Sequence, residues 1–455
     1  MDHIVETLKA QRDFYSKAKT RRVDFRINQL KKLRNAVKKH EAEIINAVRK
    51  DLRKPEFEAW YSEVGTILYE LKYIRKKLRS WVRPQKVRTP LVLLGSKSHL
   101  YPESLGQVLI IGTWNYPFHT TLYPLIGAMA AGNCAVLKPS EVSASSSNLI
   151  SRIIQDTFEP EHIACIEGGP ETAQALLSHR FDHIFFTGGE GVGRKVMEAA
   201  AKHLTPVTLE MGGKNPVLVE PDVPVSLAAK RIGWGKFINA GQTCLAPDYV
   251  LVHQSMKKEF LEELKTCLHE FYGEDPKDSP DYGRIINRKH FQRVMNLMNS
   301  GCIAAGGWAI PEELYISPTI ITDVKPQDPI MQEEIFGPLI AVMDYQNLDH
   351  ALSYINSKPK PLCMYVFTKR SRVRDSILNS TSAGSVCVND IILQTTVLTL
   401  PFGGVGKSGL GCYHGKYSFD TFTHHKSVLR RPFFIRNNLL YPPYKGKLKK
   451  LRRLI

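Results

Sequence analysis

The residues best suited to chemistry are a cysteine, an amide and a few carboxylates, each set beside small residues or a turn. Cys244 stands in "NAGQTCLAPDY". Such a thiol can be a buried small hydrophobe, half of a disulfide, a metal ligand or a nucleophile. The chain has eight cysteines, none in a C-x-x-C pair, and the nearest two, Cys244 and Cys267, are 23 positions apart. That spacing matches neither a zinc cluster nor a dense disulfide framework, and it points to a reducing compartment. "TWNYP" places Asn115 after an apolar run and before a turn, where an amide can donate to a developing oxyanion. "TLEMGGKNP" ends another apolar run on Glu210. A carboxylate in apolar surroundings gains a raised pKa and suits a general base. "EEIFGP" adds Glu333, Glu334 and Phe336. Taken singly, each of these is more often structural than catalytic. No histidine motif offers a partner for Cys244, which counts against a thiol hydrolase.

Two stretches suit a nucleotide. "FFTGGEGVGRK" sets Gly188, Gly189, Gly191 and Gly193 after an apolar run and before a helical pattern, so backbone amides can meet a pyrophosphate. "LKPSE" puts Lys138 and Glu141 just past another strand-like run, where ribose hydroxyls can bind. "GVGKSG" at 404–409 imitates both a dinucleotide fingerprint and a phosphate loop. Its context fails both, because Pro401 occupies a required glycine position and no helix pattern follows. It reads as a tight loop near a site wall.

These residues need a scaffold. Residues 1–84 read as helices, with Leu30, Leu33, Val37, Ile44 and Val48 along one stripe. From about 105, short apolar runs alternate with helical patterns, the signature of a parallel sheet covered by helices. A second α/β unit begins at 210. The predicted division is 1–84 helices packed on the nucleotide layer, 85–209 nucleotide-binding, 210–410 catalytic, and 411–455 an arm with a basic tail. No apolar run reaches the length of a membrane span, and neither terminus reads as a targeting signal.

The formal net charge is +18, unevenly placed. Residues 1–90 hold 24 Lys/Arg against 11 Asp/Glu, and residues 421–455 hold 10 Lys/Arg and no acid. Solvated helix faces explain this most simply. Attraction to anionic lipid is the sharper alternative. Nucleic acid is not expected, since no binding motif accompanies the charge.

In chain order, "TWNYP", "LKPSE", "FTGGEGVG", "LEMGGKNP", "NAGQTCLAPDY", "EEIFGP" and "PFGGVGKSGLG" resemble the NAD(P)-dependent aldehyde dehydrogenase superfamily. "GQTCLAPDY" and "GKYSFDTFTHHK" resemble its class 3 branch, which includes fatty and aromatic aldehyde dehydrogenases. The resemblance implies a Rossmann-like cofactor domain, a second α/β catalytic domain and a C-terminal oligomerisation arm. It implies oxidation of medium- or long-chain aliphatic or aromatic aldehydes to carboxylic acids, through a thiohemiacetal and a thioester on Cys244. Asn115 would serve the oxyanion. Glu210, or else Glu334, would activate water, with Glu210 favoured. Thr187, Gly188, Gly189, Gly191, Val192 and Gly193 would hold the cofactor phosphates, Lys138 and Glu141 the adenosine ribose, and Glu334 and Phe336 the nicotinamide end. No metal site is implied. Glu141 favours NAD over NADP; the glycine turn departs from the usual pattern at Gly189, and Glu190 puts a negative charge next to the phosphates. Tyr116, Trp234, Ile391 and Ile392 are the expected apolar wall. The implied protein is a cytoplasmic homodimer, with the basic tail "YPPYKGKLKKLRRLI" allowing peripheral contact with anionic membrane.

Overall fold

The run "QVLII" becomes the strand Gln107–Ile111, with every residue buried. It lies inside a six-stranded sheet, because aliphatic residues on both faces require cover on both faces. The order is Gly409–Leu410, Val207–Met211, His183–Gly188, Gln107–Ile111, Cys134–Lys138, Ile163–Cys165. All pairings are parallel except that of Gly409–Leu410 with Val207–Met211. Alternate residues serve opposite cores. Val108 and Ile110 face the main core, and Leu109 and Ile111 join Phe186, Val196 and Met211 on the other side. The structure, a computed structural model, describes residues 2–435 and 438–453.

A seven-stranded sheet forms the second α/β unit, in the order Cys302–Ala305, Thr319–Thr322, Leu339–Tyr345, Tyr249–His253, Pro216–Val219, Cys363–Phe367, Ser385–Val388. Only the edge strand Cys302–Ala305 runs antiparallel. The mixed α/β architecture is the one expected from the alternation of patterns.

The helical start is as predicted. Leu30, Leu33, Val37, Ile44 and Val48 are fully buried. After Glu41–Leu52, the chain continues through Glu56–Ala59, a π-helical turn at Trp60–Gly65, and Thr66–Trp81. This last helix packs on Pro117–Ala131, which opens with proline at its first turn and ends on Gly132 at φ 94°.

The boundaries differ from the predicted ones. The strand Val207–Met211 crosses position 210, so Glu210 belongs to the first sheet. Residues 97–104 and 423–430 pair in a separate three-stranded antiparallel sheet with Gln85–Val87, so part of the arm folds back on its own chain. The segment Lys416–Thr421 also packs inward. A Cβ on Gly127 would come within 2.7 Å of the Ser418 Cβ, so the bare glycine permits that approach.

Candidate active site

Asn115 sits between the strand Gln107–Ile111 and the helix Pro117–Ala131, and it is buried. Its Nδ2 donates to the Gln242 carbonyl at 3.0 Å. That bond ties it to the loop carrying Cys244. The loop is unusual in its backbone. Asn239, Ala240 and Gly241 have φ of 51°, 51° and 74°, a left-handed run that non-glycine residues resist. Side-chain bonds hold it there. Glu58 accepts from the Asn239 N–H at 2.9 Å, and Gln242 Nε2 donates to the carbonyls of Asn239 and Arg284 at 3.0 and 2.9 Å. Beyond the thiol, Asn215 Nδ2 donates to the carbonyls of Cys244 and Ala246 at 2.7 and 3.0 Å.

A cavity of about 1340 Å³ collects these groups. Cys244, Glu210 and Asn115 line it together, with Glu333, Glu334 and Phe336 from the later loop and Thr187, Gly188 and Gly189 from the glycine turn. Burial raises the Glu210 carboxyl to about 7. Burial, then the charge of Asp248, raises Glu334 to about 8. The Cys244 thiol is pushed well above its usual value, first by burial and then by Glu210 and Glu334. Burial and the two neighbouring carboxyls thus both favour the thiol over the thiolate.

The Glu334 loop is clamped from both sides. Arg293 donates to the Glu334 carbonyl at 3.0 Å, and Asp248 accepts from the Ile335 N–H at 3.1 Å. The carboxylate of Glu334 lies against Gly212, where a Cβ would come within 2.1 Å of it.

The fit to a dinucleotide can be judged from the unpaired atoms. Thr187 Oγ1, Glu210 Oε1 and Glu334 Oε1 are buried without a hydrogen-bond partner, and they belong to residues of this one cavity. Gly189 has open space where a Cβ would stand, directly before the helix Glu190–Ala201. Partnerless oxygens and a bare helix start suit a ligand carrying both donors and phosphate. Gly191, Val192 and Gly193 lie within that helix and outside the cavity lining. A Cβ on Gly193 would meet Met211 Sδ at 2.5 Å, so its bareness serves helix–sheet packing. Lys138 and Glu141 also stand outside the lining and pair with each other at 2.7 Å.

Of the expected wall, Tyr116, Trp234 and Ile392 line the cavity. Ile391 does not. It is fully buried, and its side chain fills the space left by Gly235, where a Cβ would meet it at 2.1 Å. Ile392, with φ 65°, does line the cavity. Position 407–408 of the "GVGKSG" loop lines the cavity, consistent with its reading as a wall loop.

Several wall residues were not expected. Phe57, Trp60, Tyr61 and Tyr69 come from the N-terminal helices, and His119, Tyr123, Tyr413 and His414 form a ring cluster whose His119 and Tyr123 hydrogen-bond to Thr66 and Glu70. A signal existed in "EFEAWYSEVG", where Phe57, Trp60 and Tyr61 recur at helical spacing yet remain exposed.

The comparisons agree with this geometry. The Aldehyde dehydrogenase family profile matches residues 2–428. A 4,4'-diaponeurosporen-aldehyde dehydrogenase of Staphylococcus aureus is 46% identical over 441 residues, covering 96% of each chain. A dimeric NADP-preferring aldehyde dehydrogenase of Canis lupus familiaris is 47% identical, covering 98% of this chain and 99% of that one. The solved substrate-bound state of Staphylococcus aureus AldH superposes with a TM-score of 0.97 at 45% identity, covering 99% of each. With a thiol, a buried carboxylate and an amide meeting in one cavity, and this likeness along nearly its whole length, the chain belongs to the aldehyde dehydrogenase family and is an oxidoreductase that uses NAD or NADP.

Proposed function

We propose that the chain oxidises medium- or long-chain aliphatic or aromatic aldehydes to carboxylic acids, with Cys244 as nucleophile, Glu210 as base and Asn115 as oxyanion donor. The observation that carries this is the meeting of a partly buried thiol with a buried carboxyl and a buried amide in one cavity. Glu210 takes the thiol proton as sulfur adds to the aldehyde carbon. The amide of Asn115 and the backbone N–H of Cys244 stabilise the resulting oxyanion. Bound NAD(P) supplies the acceptor for the hydride that leaves this carbon. A thioester remains. Glu210 passes the thiol proton to solvent and, ionised again, takes a proton from the water that attacks the thioester; the C–S bond breaks, the carboxylic acid leaves and Cys244 regains its proton. Glu210 is favoured over Glu334 because its carboxyl hydrogen-bonds the Cys244 thiol and its charge is the larger of the two influences on it.

Thr187 to Gly193 would cradle the cofactor phosphates, Lys138 and Glu141 the adenosine ribose, and Glu334 and Phe336 the nicotinamide end. Glu141 supports NAD as the preferred cofactor. Phe57, Trp60, Tyr61, Trp234 and Ile392 support an apolar or aromatic substrate tail. Spectrophotometric reduction of each cofactor by aldehydes of increasing chain length tests the reading. Turnover that survives Cys244→Ala sinks it.

A homodimer is part of the proposal, supported by the relatives that are named dimeric. So is a cytoplasmic setting with peripheral contact to anionic membrane. Among the described residues, no helix is long and apolar enough to cross a membrane. Phe433, Phe434, Tyr441 and Tyr444 are exposed beside the basic residues of the tail, a composition suited to a lipid interface. Flotation with acidic and neutral liposomes at low salt tests this, and failure to float with the acidic ones ends it.

A further inference from the structure

Lys54 and Glu63 form an ion pair at 2.9 Å with no exposed side-chain surface on either partner. Such a pair is a poor stabilising device, since matched apolar residues usually serve as well. Its contacts suggest another purpose. Glu63 Oε2 accepts from the backbone N–H groups of Phe118 and His119 at 3.1 and 3.0 Å, in the first turn of Pro117–Ala131. Lys54 Nζ donates to the Asn115 carbonyl at 3.0 Å and lies 3.9 Å from the Tyr116 ring centroid. The pair thus grips the chain at Asn115, Tyr116, Phe118 and His119.

That segment is joined to the cysteine loop by three further bonds. Asn115 Nδ2 donates to the Gln242 carbonyl, Asn239 Nδ2 donates to the Asn115 carbonyl at 3.0 Å, and the Tyr116 hydroxyl meets Thr243 Oγ1 at 2.7 Å. Asn115 Oδ1 has no hydrogen-bond partner. The aim of its amide therefore depends on one side-chain bond and on its backbone anchor. Lys54 supplies the charged part of that anchor.

We propose that Lys54 is a positioning residue for the reaction, acting through Asn115 by holding its amide in register with Cys244, while Glu63 holds Lys54. This rests on the reading of Asn115 as oxyanion donor. Lys54 touches neither substrate nor thiol. Its effect should appear in the rate of the chemical step and vanish when the amide is absent.

The test is a double-mutant cycle in the full chain. Lys54→Met with Glu63→Gln removes both charges together and keeps an acceptor for the two amides. Lys54→Gln with Glu63→Gln is a second pair, carried because the first leaves an apolar tip near polar groups. Folding is checked by thermal melting and by cofactor binding. In the wild-type background, kcat should fall about 10- to 100-fold, with the cofactor Kd changed less than about twofold. In an Asn115→Ala background, the same pair should change kcat less than about twofold. A folded pair with wild-type kcat overturns the proposal. So does an equal fold-loss in both backgrounds, which marks a general structural role. Failure of both pairs to fold also overturns it, since the ion pair would then serve stability. An Asn115→Ala variant with wild-type kcat removes the donor reading itself, a distinct result.

Discussion

Asn239 donates from one nitrogen to the carbonyls of both Asn115 and Gln242, at 3.0 and 3.1 Å. A single side chain thereby bridges the segment between the strand Gln107–Ile111 and the helix Pro117–Ala131 and the loop that carries Cys244. Its backbone adds to the cost of replacing it, since φ is 51° and asparagine tolerates that region better than most residues.

Asn239→Ala loses both bonds and places a Cβ-bearing residue of lower tolerance in the left-handed region. Destabilisation of about 2 to 4 kcal/mol is expected, with kcat reduced more than aldehyde KM. Thermal melts and steady-state rates check this. A melting temperature equal to wild type contradicts it.

The pH profile follows from Glu210. As a base it works only when ionised, and burial holds it at about 7. Deacylation should therefore rise with pH through about 7 and then level off. Glu210→Gln should remove this limb and cost about 10²- to 10⁴-fold in kcat. If Glu334 is the base, the limb instead centres near its value of about 8 and disappears in Glu334→Gln.

Glu70 gives a stability prediction that is separate from catalysis. Burial raises it from 4.5 to about 7, against the hydrogen bonds from the Gly415 N–H and the Tyr123 hydroxyl. The folded state thus holds a proton that the unfolded state releases at lower pH. This contribution is complete below the unfolded pKa and is lost as pH rises through about 7. Glu70→Gln has no such loss. Between pH 5 and 8 it should gain on wild type by about 3 kcal/mol. Urea denaturation of both proteins across that range provides the comparison, and parallel curves refute the assignment.

Trp60 stands at the mouth of the cavity, its ring 3.2 Å from where a Cβ on Gly65 would lie. Trp60→Ala removes apolar area that only a long tail can reach. The expected result is a drop of about tenfold in kcat/KM for a long-chain aldehyde relative to a short one. An equal effect on both lengths rules out this contact.

Local chemistry was readable because it depends on short contiguous patterns. Cys244, Glu210 and Asn115 each follow an apolar run or precede a turn, and each lines the cavity. What escaped was pairing across distance. Lys54 and Glu63 are only nine positions apart, yet their purpose lies with Asn115, which no spacing rule connects to them. Ile391 left the expected wall for another reason. It packs against Gly235, and two adjacent isoleucines carry no mark of which one meets the cavity. The strand that carries Glu210 runs on to Met211, where its pairing ends, although the composition changes at 210.

The antiparallel pairing of Gly409 with Glu210 carries a consequence in time. During synthesis the strand bearing the base emerges some two hundred residues before the segment that closes its outer edge. The wall around Glu210 therefore cannot close until the segment at Gly409 has been made. Until then the chain carries Cys244 without the finished surroundings of its neighbouring carboxyl.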